Sequence, residues 1–174
     1  MPSVVFLRGV NVGGANLCRP AELARELAKF GVVNIGAVGT FVVHENVSQS
    51  TLRAAIAKRL PFKCEIMIVP AANVLKLASK NPFVRQPSVA DITRFVSVLH
   101  KRPREFPALP LSLPSEDEWL LKIIAIQDRF VVGLYHRQMN AIRYLSTIEK
   151  RLGVAATTRN WNTIQKVVQI LKDI

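Results

Sequence analysis

A chain of 174 residues is long enough to bury a sizeable core, either as one domain or as two of about 85 residues each. A hydrophobic content of 49% and a mean hydropathy of +0.21 exclude a disordered polypeptide. With 24 Lys and Arg against 12 Asp and Glu, the net charge of +12 favours contact with polyanions such as nucleic acid, an anionic membrane or acidic metabolites.

Val4 to Leu7 reads as a buried strand. It gives way to the glycine-rich Arg8-Gly9-Val10-Asn11-Val12-Gly13-Gly14. Pro20 opens a helix whose apolar face is Leu23, Leu27 and Phe30, and Gly31 stops it. Strands are expected over 32–38 and 41–47, meeting near Gly39-Thr40. Ser50 is placed as the cap of a second helix with Leu52, Ile56 and Leu60 inward, ended by Pro61. Cys64 to Val69 is the fourth strand, so the first half runs β-α-β-β-α-β. A short helix over 71–80 follows. Asn81-Pro82 and Gln86-Pro87 then form an extended linker, because proline removes a donor and restricts its predecessor.

The second half opens with a strand from Ile92 to His100. Pro103, Pro107, Pro110 and Pro114 leave room for one or two helical turns. Trp119 to Ile126 and Phe130 to Tyr135 form a hairpin across Gln127-Asp128-Arg129. A helix over 140–152 places Ile142, Leu145, Ile148 and Leu152 on one side, with Gly153 as its stop. A short strand over 154–158 leads to a final helix from about Asn160 to Leu171. The expected fold class is therefore α+β, with two ferredoxin-like halves and an added C-terminal helix. The expected divisions are an N-terminal half over 1–80, a linker over 81–91 and a C-terminal half over 92–174. Each half leaves one sheet face to be covered by the other or by a partner, which leaves a homo-oligomer open.

No apolar run approaches the roughly 18 to 20 residues that span a bilayer, and the N-terminal run breaks at Arg8. No membrane association and a cytoplasmic location are expected. Cys18 and Cys64 are too few for a disulfide framework or thiolate metal site, and His44, His100 and His136 lack zinc spacing. No cofactor motif is present: the glycine-rich segment is neither G-x-G-x-x-G nor a P-loop.

Two segments carry the functional expectation. In the first, Gly13 and Gly14 would let a phosphate approach the backbone, Arg8 would supply charge and Asn11 a hydrogen bond. The structural alternative is a tight strand-to-helix turn in which Asn11 bonds its own backbone. In the second, Thr157-Thr158-Arg159-Asn160-Trp161-Asn162-Thr163 opens the last helix, where unpaired N–H groups and the helix dipole favour an anion. Thr158 or Asn160 would cap that helix, and Trp161 reads as a core anchor. Glu116-Asp117-Glu118 reads as a solvated loop. His136 and Arg137 are the residues to test as an acid or an electrophile. Of the aromatics that an RNA-binding sheet of this topology would use for stacking, only Phe6, Phe41, Phe95 and Trp119 are available.

Phe6-Leu7-Arg8-Gly9-Val10-Asn11-Val12-Gly13-Gly14, Asn81-Pro82-Phe83, and the run from Gly153 to Thr163 together resemble the bacterial family known as domain of unknown function 1697. The resemblance spans nearly the whole chain. It implies two ferredoxin-like halves and carries no established activity. Two departures stand out. Ala37-Val38-Gly39-Thr40 replaces the family's Gln-Ser-Gly-Asn. Arg137-Gln138-Met139-Asn140 replaces its Gly-Arg-Ser-Lys run, without the lysine.

The reading that results is a cytoplasmic binding protein for nucleic acid or a phosphorylated ligand. Arg8, Gly9, Asn11, Gly13, Gly14, Thr158, Arg159, Asn160 and Asn162 are the candidate residues, treated as parts of one anion site. The alternatives are a small-molecule enzyme using the same pocket and an interaction module without a specific ligand.

Overall fold

Ser3–Leu7 forms the first strand, β1, and every residue in it is buried, as its unbroken apolar run requires. In the computed structural model, which describes residues 1–86 and 89–174, β1 is followed by α1 (Pro20–Glu26), a 3₁₀ turn (Ala28–Phe30), β2 (Val32–Ile35) and β3 (Thr40–Val43). Then come α2 (Gln49–Arg59), β4 (Ile66–Pro70) and α3 (Ala71–Ser79). The four strands form an antiparallel sheet in the order β2-β3-β1-β4, the ferredoxin-like arrangement expected from the element order. One face carries Val5, Leu7, Phe41, Val43, Ile66 and Ile68, which pack with Leu23 and Leu27 of the α1 region and with Leu52 and Ile56 of α2. Burying a Leu or Ile side chain this way contributes about 1.5–3 kcal/mol. On the opposite face Val4, Phe6, Val42 and Met67 are fully buried, and α3 packs on β1 and β4 with Val74 and Leu77 inward.

Three local expectations change. Ser48, rather than Ser50, caps α2: its Oγ accepts from the Thr51 N–H at 3.1 Å. The helix expected to run to Phe30 ends at Glu26 and tightens into the 3₁₀ turn. β2 stops at Ile35, because Gly36 takes a left-handed conformation that a strand cannot continue through.

The second unit contains β5 (Ile92–Leu99), β6 (Leu111–Leu113), β7 (Leu121–Gln127), β8 (Phe130–His136), α4 (Met139–Leu152) and β9 (Ala156–Asn160). Its sheet order, β6-β7-β8-β5-β9, repeats that of the first sheet with β6 added at an edge. No helix forms between β5 and β7, where the prolines left room for only one or two turns. Pro103, Pro107, Pro110 and Pro114 remove donors there, and the three residues between the last two prolines pair with β7 instead. α4 buries Ala141, Ile148 and Leu152, with Leu145 partly covered, while Ile142 is exposed. The inward stripe thus runs 141, 145, 148, 152, one position before the expected start.

The last helix, α5 (Trp161–Lys172), follows β9 without a loop. Two compact units result: Met1–Ser79 with Thr163–Ile174, and Lys80–Asn162. Residues 163–174, assigned from sequence to the C-terminal half, group with the N-terminal unit. Of the expected linker, Pro87 lies outside the described residues. No helix among the described residues is long and apolar enough to cross a membrane.

Candidate functional site

The glycine-rich segment is pinned where it leaves β1. The Leu7 N–H donates to the Gly39 carbonyl at 2.8 Å and the Arg8 N–H to the Glu65 carbonyl at 3.0 Å. Gly9, Asn11, Gly13, Gly14 and Asn16 all take positive φ, so the chain folds back on itself. The Asn11 N–H reaches the Asn16 carbonyl at 3.2 Å, and the Ala15 N–H reaches the Val12 carbonyl at 3.1 Å. A Cβ added at Gly13 or Gly14 would meet nothing within 4 Å, so glycine is required there by backbone conformation and not by crowding.

Asn11 holds this loop. Its Nδ2 donates to the carbonyls of Cys18 at 2.9 Å and Ala37 at 2.7 Å, while its Oδ1 accepts from the Cys18 N–H at 2.8 Å. The amide is spent on backbone, which is the turn reading of this segment. Val10 is fully buried beneath the loop, Arg8 is half-buried, and Gly13 and Gly14 are exposed. The Ala37–Thr40 segment lies beside it. Gly39 takes φ +87°, and a Cβ there would come within 2.7 Å of Leu7 Cβ.

In the second unit, β9 pairs with β5 so that Val96 faces Arg159 and Ser97 faces Thr158. Strand structure continues through Asn160, so Thr158 does not cap α5. Its hydroxyl is hydrogen-bonded to the fully buried Ser97 hydroxyl at 2.6 Å. Arg159 is buried, and its Nη1 donates to Thr157 Oγ1 at 2.7 Å and to the Thr158 carbonyl at 3.0 Å. Burial pushes its pKa down to about 10, since the charged form loses hydration. Trp161 is buried edge-to-face on Phe83, with ring centroids 5.0 Å apart, as a core anchor. Asn160, the last residue of β9, and Asn162, in the first turn of α5, are exposed. Arg8, Gly9, Asn11, Gly13 and Gly14 thus belong to one compact unit, and Thr158, Arg159, Asn160 and Asn162 to the other.

His136 and Arg137, singled out from the sequence, sit in the second unit with partners that no local pattern announced. The rings of Trp119 and His136 lie 4.4 Å apart, and Lys122 Nζ sits 4.5 Å from the Trp119 centroid. His136 Nδ1 is 3.8 Å from Asp91 Oδ2, and Arg137 Nε donates to Thr93 Oγ1 at 3.2 Å. The signal lay in the hairpin register, which pairs Leu121 with Tyr135 and so brings Trp119 toward His136. Among the described residues, no three His, Cys, Asp or Glu side chains gather where a metal ion could be held. Glu116, Asp117 and Glu118 are exposed, as a solvated loop should be.

The fold and these segments define an α+β protein built on two ferredoxin-like antiparallel sheets. The same architecture occurs in the structure of conserved bacterial protein SP0830 from Streptococcus pneumoniae, with a TM-score of 0.63, 15% identity and 98% of each chain covered. The sequence profile of the family described as "protein of unknown function (DUF1697)" matches residues 1–119, and the chain belongs to that family. No curated protein matches the chain.

Proposed function

We propose that the protein binds a polyanion, nucleic acid or a phosphorylated ligand, through exposed backbone and basic side chains. The carrying observation is the charge and its division. The first unit has eleven basic against five acidic residues and the second thirteen against seven, an excess of six in each. An excess of this size in each unit raises the local concentration of phosphate-bearing ligands. Base stacking on the sheets is disfavoured, because Phe6, Phe41 and Phe95 are buried in the cores and Trp119 is half-buried against His136 and Lys122. The exposed Gly13-Gly14 backbone with Arg8, and the junction of β9 and α5 with Asn160 and Asn162, are the candidate contacts. Asn11 through its Nδ2 and Arg159 through its Nη1 hold the backbone of those two segments. A titration of the amide spectrum with a labelled oligonucleotide and with pyrophosphate tests this. Shifts at Gly13, Gly14 and Asn162 are expected, and unmoved resonances in both segments would overturn it.

A small-molecule enzyme is the second reading, and the Asp91–His136 pair beside Lys122 and Arg137 favours it. Its test is turnover of a panel of phosphate esters that disappears in His136→Gln. The loss of polar groups at Ala37-Val38, beside the glycine-rich loop, weighs toward binding without chemistry.

A further inference from the structure

We infer that one end of the second unit is a contact surface for single-stranded nucleic acid, an assignment that rests on the polyanion reading above. Strand pairing brings four chain segments to this end. The Leu99 N–H donates to the Arg129 carbonyl and the His100 N–H to the Ala155 carbonyl, each at 2.8 Å. The end of β5, the β7–β8 turn, the C-terminus of α4 and the start of β9 therefore converge. They carry Lys101, Arg102, Arg104, Arg129, Lys150 and Arg151, the densest basic run of the sequence together with the last turn of a helix. Lys101, Arg102, Arg104, Lys150 and Arg151 are exposed.

Three acids share this end with the six basic residues, so an excess of positive charge remains. Asp128 pairs with Arg102 at 2.9 Å, Glu149 accepts from the Ala156 N–H at 2.9 Å, and Glu105 is the remaining carboxylate. Arg129 is held by its Nε donating to the Leu99 carbonyl at 2.9 Å, which fixes the turn beneath the patch. Phe106 stands two residues beyond Arg104 with 57% of its surface exposed. A phenyl ring left in water beside a basic run is a stacking platform for unpaired bases, and a paired duplex offers no such face. Phosphates would be met by the exposed cations and a base by Phe106, which selects single strands over duplexes.

The test is fluorescence anisotropy with labelled oligothymidylate and with a labelled duplex, titrated with salt. The variants are Lys101→Ala/Arg104→Ala, Lys150→Ala/Arg151→Ala, Phe106→Ala and, as a control in the first unit, Lys29→Ala/Lys63→Ala. Each exposed cation removed from the patch should lower the salt slope for the single strand by about 0.7. Phe106→Ala should weaken single-strand binding about tenfold and leave duplex binding unchanged. Unchanged urea midpoints for these exposed positions separate binding from folding. Steep, salt-dependent binding that survives all three patch substitutions but falls in the control overturns this surface while the polyanion reading stands. A native protein that binds neither probe overturns both. Equal loss of single-strand and duplex affinity in Phe106→Ala overturns the stacking assignment.

Discussion

Replacing Asn11 by alanine should cost about 2.5–4.5 kcal/mol, and the structure allows that figure to be divided. The side chain makes three hydrogen bonds to backbone, two with Cys18 and one with Ala37. Each is worth about 0.5–1.5 kcal/mol net, and the one to Ala37 is exposed and falls at the low end. Asn11 also holds φ at +55°, where alanine costs about 1 kcal/mol more than a residue that tolerates the left-handed region. Asn11→Gly loses the same hydrogen bonds without that penalty, so it should be the milder variant by about 1 kcal/mol. Equilibrium urea unfolding followed by far-UV circular dichroism measures both. With a slope of roughly 2 kcal/mol/M, the alanine midpoint should fall by about 1–2 M. An alanine variant within about 0.5 kcal/mol of the native protein, or a glycine variant less stable than the alanine one, would refute the assignment of Asn11 as the clamp of the loop.

The Ser97–Thr158 hydroxyl pair should show the asymmetry of buried hydrogen bonds. Ser97→Ala alone should cost about 1–3 kcal/mol, and adding Thr158→Val should recover part of it, as urea unfolding of the double-mutant cycle would reveal. Arg159 binds fewer protons in the folded than in the unfolded chain as pH rises through about 10, so its contribution to stability rises with pH there. Alkaline urea unfolding of the native protein and Arg159→Met should differ in that slope; identical slopes would contradict it. Burial raises the pKa of both Cys18 and Cys64 from 9.0. Their neutral forms are favoured by folding, and this contribution is present below pH 9 and is lost above it. Both thiols should therefore react with an aromatic disulfide reagent more slowly in the native than in the urea-unfolded protein at pH 8, and equal rates would rule out the burial effect.

The first half of the fold was legible because its signals agree. A β-branched run, proline at the first helical position and glycine stops each mark the element they bound, and tertiary packing moved the ends by only a few residues. The second half was legible except between β5 and β7, where four prolines left room for only a turn or two of helix but did not announce the edge strand at Leu111–Leu113. Pairing with β7 decides that strand, and no local pattern carries such a long-range partner. For the same reason the grouping of residues 163–174 with the first unit could not be read from a helix that follows the second half in sequence. At the candidate site, the sequence identified the two segments but not the occupation of their side chains. Asn11 and Thr158 look like available donors in a sequence, and only the register of the loop and of β9 commits them to backbone and to Ser97. Arg159 beside a helix start suggested a charge awaiting an anion; strand alternation instead turns it into the interior with Thr157. The Trp119–His136 contact was hidden because it depends on hairpin register across seventeen positions.

The most direct test of polyanion binding is the dependence of the native protein's affinity for a labelled single-stranded oligonucleotide on salt. A straight plot of log affinity against log salt with a slope of about −2 or steeper, several phosphates neutralised, is the predicted result. A flat plot, or no binding at low salt, would contradict the account.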